Sequence, residues 1–177
     1  MAAQINICRM LVLLALIVFA GLLIYAAASD VTSYTIPNWV SIALVVGFTA
    51  LALALGMPWQ ELGWHFLFGF AVLIVGFFLF QAKVFGAGDA KLIAATALWT
   101  GIAAFTPFIF WTAVVGGLLA ASLLAARQFI KQTETNPPFV NRLLKEQQGI
   151  PYGLAIMAGG LMSTPVLFER FHSLTLP

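Results

Sequence analysis

The sequence predicts an all-α, polytopic membrane protein of about six transmembrane helices, arranged as one domain over residues 1–177. Three observations lead there. The chain is 62% hydrophobic and only 8% charged, with a mean hydropathy of +1.03, too apolar for a soluble domain to stay dispersed. Its apolar residues fall in runs close to the roughly 20 residues that a spanning helix needs. The polar stretches between the runs are too short for a second, soluble domain, and the longest is Arg127 to Gln148.

The first run is Met10 to Ala28, followed by "SDVTSYTIPN". The second is Trp39 to Leu55, closed by "GMPWQE", and the third is Leu62 to Phe80, closed by "QAKVFGAGD". Ala90 to Ala126 is almost wholly apolar. As a single helix it would be about 55 Å long, nearly twice the hydrocarbon thickness. Gly101 and Pro107 offer a break, giving a short fourth span, Ala90 to Phe105, and a fifth, Pro107 to Ala126. The last run is Ile150 to Phe168. Five spans is the alternative count. The start also resembles a secretory signal, with Arg9, an apolar stretch and "YAAAS". The stretch is long for a signal and further spans follow, so a retained span is expected.

With six alternating spans, the loops after spans one, three and five share one side. They carry six of the chain's eight lysines and arginines: Lys83, Lys91, Arg127, Lys131, Arg142 and Lys145. The positive-inside rule puts that side in the cytoplasm and both termini outside. Arg9 before the first span is the one opposing signal. A net charge of +2 leaves no basic footprint for nucleic acid. The single cysteine, Cys8, excludes an internal disulfide and a multi-cysteine metal site. His65 beside Trp64 reads as an interfacial residue, and the five tryptophans read mostly as anchors at span ends. Leu143 and Leu144, within Asn136 to Gln148, could lie on lipid as part of a short amphipathic helix, or belong to a solvated linker.

The chain has two aspartates, Asp30 and Asp89. One follows span one and the other precedes span four, so alternation brings both to the same membrane face. Two carboxyls at one face suit hydrolysis of a peptide bond: an ionised one takes a proton from water and a protonated one donates to the scissile carbonyl oxygen. Asp89 precedes a helix, where the dipole favours an anion, and Asp30 follows one. On that ground Asp89 is the expected base and Asp30 the expected acid. Gly86 and Gly88 would let another chain come close to Asp89, or they simply form a turn capped by Asp89. Lys91 would snorkel to headgroups or meet an acidic group on a substrate. Pro37 opens span two at the first-turn position, with Asn38 next.

Three stretches taken together resemble the type IV prepilin peptidase family of aspartic, intramembrane proteases. "DVTSYTIPN", Asp30 to Asn38, is similar to its first motif. "GAGDAK", Gly86 to Lys91, is similar to its G-x-G-D-x-K motif. "GIPYGLAI", Gly149 to Ile156, is similar to its Pro-aromatic-Gly segment. The resemblance implies that Asp30 and Asp89 are catalytic and that Gly86, Gly88, Lys91, Pro37, Asn38, Pro151 and Gly153 shape the approach of the substrate. It implies no metal and no cofactor. It also implies cleavage of a short basic leader, usually after a Gly, on the cytoplasmic side of the bacterial inner membrane.

The implied partners are a prepilin or pilin-like protein, membrane lipid and the pilus assembly machinery. Larger members carry a region between the first two spans, often with paired cysteines, and methylate the product. Here about ten residues separate those spans. The short form resembles the peptidases that accompany tight-adherence (Flp) pili. Two rival readings stand beside this one: an aspartic protease of the signal-peptide-peptidase type, and a non-enzymatic membrane protein, such as a transporter subunit or pilus scaffold, whose aspartates are ion ligands or caps.

Overall fold

The structure is a computed structural model that describes residues 2–129, 138–144 and 149–174. Every regular element among them is a helix: α1 (Ala2–Ser33), α2 (Asn38–Ala54), α3 (Trp59–Gln81), α4 (Ala87–Phe129), α5 (Pro138–Leu143) and α6 (Gly153–Ser173). Three stretches, Asn6–Ser33, Trp59–Gln81 and Ala87–Phe129, are long and apolar enough to cross a membrane, while α2 is a shorter apolar helix. Six crossings therefore do not follow from length and apolarity alone.

The ends of these helices follow from local chemistry. α1 runs past the expected end at Ala28, and in its last turn the hydroxyls of Thr32 and Ser33 donate to the carbonyls of Ala28 and Ser29. Tyr34 then turns to a positive φ of 53° and its N–H returns to the Asp30 carbonyl. Asp30 thus sits in the last turn of a helix, not in the loop where the sequence reading placed it. α2 and α3 close alike. Gly56 and Lys83 take left-handed backbone, with φ of 68° and 58°. In each, the next residue's N–H reaches back over the last turn, Met57 to Ala52 and Val84 to Leu79.

α4 is the element that sets the topology. Gly101 breaks it with φ 54° and ψ −170°, a conformation glycine adopts and other residues resist. Pro107, the other candidate break, lies inside the continuing helix. Gly116 packs on Tyr152 and Ala155 at the start of α6. Phe85, just before α4, stacks edge-on to the same Tyr152 at 5.5 Å. A straight helix would separate residues 89 and 116 by about 40 Å. The chain therefore doubles back at Gly101, and α4 is two antiparallel segments, α4a (87–100) and α4b (102–129).

Glycines set how closely the helices approach. A Cβ on Gly76 would stand 3.0 Å from Ala90, and one on Gly69 would stand 2.8 Å from Leu98, which holds α3 against α4a. Gly159 lies on Phe108 and Thr112 of α4b, and Gly160 on Leu23 of α1. In the core, Phe19, Phe48, Trp99 and Phe171 are buried together, and the indole N–H of Trp99 donates to the Leu44 carbonyl at 2.9 Å. Trp99 is thus a core residue rather than the anchor expected, whereas Trp39, Trp59, Trp64 and Trp111 are exposed. Large apolar side chains such as Ile17, Phe78 and Leu118 cover the outside, as a lipid-facing surface requires.

Of the expected amphipathic stretch, α5 is described as a short helix, and Leu144 is buried rather than laid on lipid. Asn136, Pro137 and 145–148 lie outside the described residues, as do Lys131 and Lys145. Arg127 at the end of α4b donates to the carbonyls of Leu143 and Gly149, tying the two ends of this connection together.

Candidate active site

Asp30 lies in the last turn of α1 and Asp89 in the first turn of α4a. Both are buried, with 6% and 8% of their surface exposed. Burial of two acids needs compensation, and each carboxylate finds a backbone donor. The N–H of Gly153, the first residue of α6, donates to Asp30 Oδ2 at 2.8 Å. The N–H of Gly86 donates to Asp89 Oδ2 at 3.2 Å, the reach-back of a third-position acid to its own helix start. The two acids are close enough for the charge of Asp30 to act on Asp89. Among the described residues neither forms an ion pair; the salt bridge found there joins Glu61 and Arg170.

Three stretches of sequence interlock to build this arrangement. Gly88 packs on Ile36, where an added Cβ would stand 3.1 Å from the Ile36 Cβ. Lys91 Nζ donates to Asn38 Oδ1 at 2.9 Å, so its head is held by α2 rather than extended to headgroups. Pro37, with φ −63° and ψ 137°, is the extended residue just before α2 and not, as expected, in its first turn. Gly153 lies against Asp30 itself, with Cβ room of only 2.9 Å to the Asp30 Cβ and Oδ2. Pro151 and Gly153 are buried. Phe85 and Tyr152 close the third side through their ring contact.

All the site residues read from the sequence, Pro37, Asn38, Gly86, Gly88, Lys91, Pro151 and Gly153, thus gather around the two aspartates. The space beside Gly88 is filled by Ile36, and that beside Gly86 by the Asp89 carboxylate. The sequence reading missed the donor role of Gly153 and the contact of Phe85 with Tyr152. No spacing rule links residues so far apart.

The asymmetry expected from the helix dipoles loses its ground here. Asp30 does close a helix, but its carboxylate is seated on the N-terminus of α6, so both acids face positive helix ends. No group of three or more His, Cys, Asp and Glu able to hold a metal is found among the described residues. Beside Asp30, an apolar cavity of about 340 Å³ opens between Val31, Pro151, Leu154 and the Leu119 and Leu123 side of α4b. A larger cavity, about 670 Å³, lies at the opposite end of the bundle and contains neither aspartate. Neither lining includes an aspartate; the smaller cavity adjoins the Asp30 end of α1 through Val31.

A helical, membrane-spanning type of chain with two buried acids brought together from separate helices has the makings of an aspartic peptidase. The type IV leader peptidase family matches residues 17–121, more than half of the chain and inclusive of both aspartates. The chain belongs to that family. Comparison with curated proteins and with solved structures finds no match. Membership indicates a peptidase with pilin-like substrates, against the reading of a non-enzymatic transporter subunit or scaffold. The matched range stops before Gly149, so the contacts of Tyr152 and Gly153 come from the structure alone.

Proposed function

We propose that this chain is a single transmembrane domain that removes the leader peptide of pilin precursors, with Asp30 and Asp89 as the catalytic dyad. The observation that carries the reading is the convergence of the two buried acids, each held by a backbone N–H and neither neutralised by a cation among the described residues. Two such carboxyls hold one proton between them. The ionised member takes a proton from a water, whose oxygen attacks the scissile carbonyl carbon. The protonated member gives its proton to the carbonyl oxygen. On collapse of the tetrahedral intermediate the C–N bond breaks, the amine leaves with the proton taken from water, and the carboxylate that gave its proton recovers one from a hydroxyl of the intermediate as the carbonyl re-forms. Backbone donors fix both carboxyls, so either can begin as the base.

Supporting features set the substrate class. The apolar cavity beside Val31 and Pro151 has room for a few apolar side chains, such as those of the helix that follows a pilin leader. The sequence assigns six of its eight lysines and arginines to loops on the aspartates' side, and the positive-inside rule supports a site at the cytoplasmic face of the inner membrane. α1 and α2 are joined by Tyr34 to Pro37 alone, with no room for an inserted methylating region. This favours the short form that serves tight-adherence (Flp) pili.

Co-expression with a small pilin precursor that carries a basic leader tests the function. The precursor should lose its leader, with N-terminal sequencing placing the cut ahead of the apolar helix, usually after a Gly. Precursors left whole in membranes that contain the folded protein would contradict the proposal.

A further inference from the structure

The cavity of about 670 Å³ at the end opposite the aspartates is lined by Glu61, Trp64, His65, Gly101, Ile102 and Arg170, among others. Its wall is more than a packing gap. His65 is only 3% exposed, and its ring is wedged against the turn at Gly101. This histidine is therefore packed inside the end of the bundle rather than lying on its surface. Its Nδ1 lies 2.6 Å from the carbonyl of Leu98, in the last turn of α4a. A carbonyl can only accept, so Nδ1 carries the proton. In the neutral ring Nε2 is then a bare acceptor. Nε2 is buried and has no hydrogen-bond partner among the described residues. Glu61 and Arg170 pair at 3.2 Å with side chains 30% and 29% exposed, and both act electrostatically on His65.

We infer that this cavity binds a zwitterionic head made of a primary ammonium and a phosphate diester, and that the occupant is an aminophospholipid. The lining offers two acceptors, the Glu61 carboxylate and His65 Nε2, and one cationic donor, Arg170. Their formal charges cancel, so a ligand of net charge is not favoured, whereas one with separated charges matches both signs. An ammonium has three donors and can serve Glu61 and Nε2 together, while the phosphate meets the guanidinium. A quaternary ammonium has no N–H to give and would leave Nε2 unsatisfied. The volume accommodates such a head. Acyl chains have a place to go, since Ile102 is 66% exposed and Trp64 57% exposed at the rim. A tryptophan rim is also where headgroups sit.

Native mass spectrometry of the full chain released from detergent tests this, with phosphatidylethanolamine, phosphatidylcholine and phosphatidylglycerol titrated singly and in competition. The expected result is one retained phosphatidylethanolamine, bound about tenfold more tightly than either other lipid, the size of a lost buried hydrogen bond. Glycerophosphoethanolamine, the same head without chains, should compete only weakly. Full competition by it would overturn the lipid assignment in favour of a soluble zwitterion. Glu61→Gln, which keeps the shape and removes the charge, should bring the preference down to the level of phosphatidylcholine. Equal retention of the three lipids by the unaltered protein overturns the proposal whatever the variant does, as does a preference that Glu61→Gln leaves intact.

Discussion

The backbone N–H of Gly153 donates to Oδ2 of Asp30 over 2.8 Å, joining positions 123 residues apart. The start of α6 is thereby part of the seat of an acid on α1. The glycine is needed because a Cβ there would stand 2.9 Å from both the Cβ and Oδ2 of Asp30. Gly153→Ala must move either the end of α1 or the start of α6. Leader cleavage by Gly153→Ala should fall about a hundredfold in kcat, the size expected of an ångström-scale misplacement, with KM little changed. Steady-state kinetics on purified precursor would check it, and an unchanged kcat would show that Asp30 does not depend on this contact.

The contact of Gly88 with Ile36 makes a second, separable claim. Gly88→Val should weaken processing and lower the thermal stability of the detergent-solubilised protein by about 1–3 kcal/mol, as overpacking does. Ile36→Ala made in the same chain should recover part of both losses. Gly117→Ala is the matching control, since nothing lies within 4 Å of a Cβ there. Equal losses in the control and in Gly88→Val would remove the contact as the cause.

At the turn between α4a and α4b, Gly101→Ala meets two obstacles. Its φ of 54° is costly for alanine, and the new Cβ would stand 2.8 Å from His65 Cε1. The expected loss is about 1–2 kcal/mol from the backbone alone. His65→Ala in the same chain removes the clash but not the backbone cost, so the double variant should remain less stable than His65→Ala alone. Thermal unfolding of the three variants would decide between strain and crowding.

Lys91 gives a prediction of a small effect. Its side chain donates to Asn38 across an exposed hydrogen bond, and no such bond contributes much. Lys91→Met should lower processing by about threefold at most. A larger fall in kcat/KM, with normal accumulation in the membrane and with Asn38→Ala unaffected, would place Lys91 on the substrate instead.

Much of this was legible in the residues. The runs of apolar residues mark the helices, but the fourth run was expected to break between Phe105 and Pro107, whereas the chain turns at Gly101, because glycine alone takes that backbone without cost. The parity of the spans brings Asp30 and Asp89 to one end. What the sequence could not reveal came from contacts between remote positions. His65 looked interfacial because its neighbours are polar or aromatic, yet α4a offers it the Leu98 carbonyl, which burial makes decisive. Trp99 was grouped with the tryptophans read as span-end anchors, yet Leu44 supplies it an acceptor inside the bundle. The helix-dipole argument for Asp30 considered α1 only, and failed because α6 presents its N-terminus to the same carboxylate.

The most direct test of the dyad compares cleavage rates of Asp30→Asn, Asp89→Asn and the double variant on one purified precursor, each confirmed as folded and membrane-inserted. Two acids acting as a unit predict that either single change lowers the rate by about a thousandfold or more, and that the double change lowers it no further. A single variant that still cleaves at close to the original rate, or losses that multiply in the double variant, would contradict a shared proton between Asp30 and Asp89.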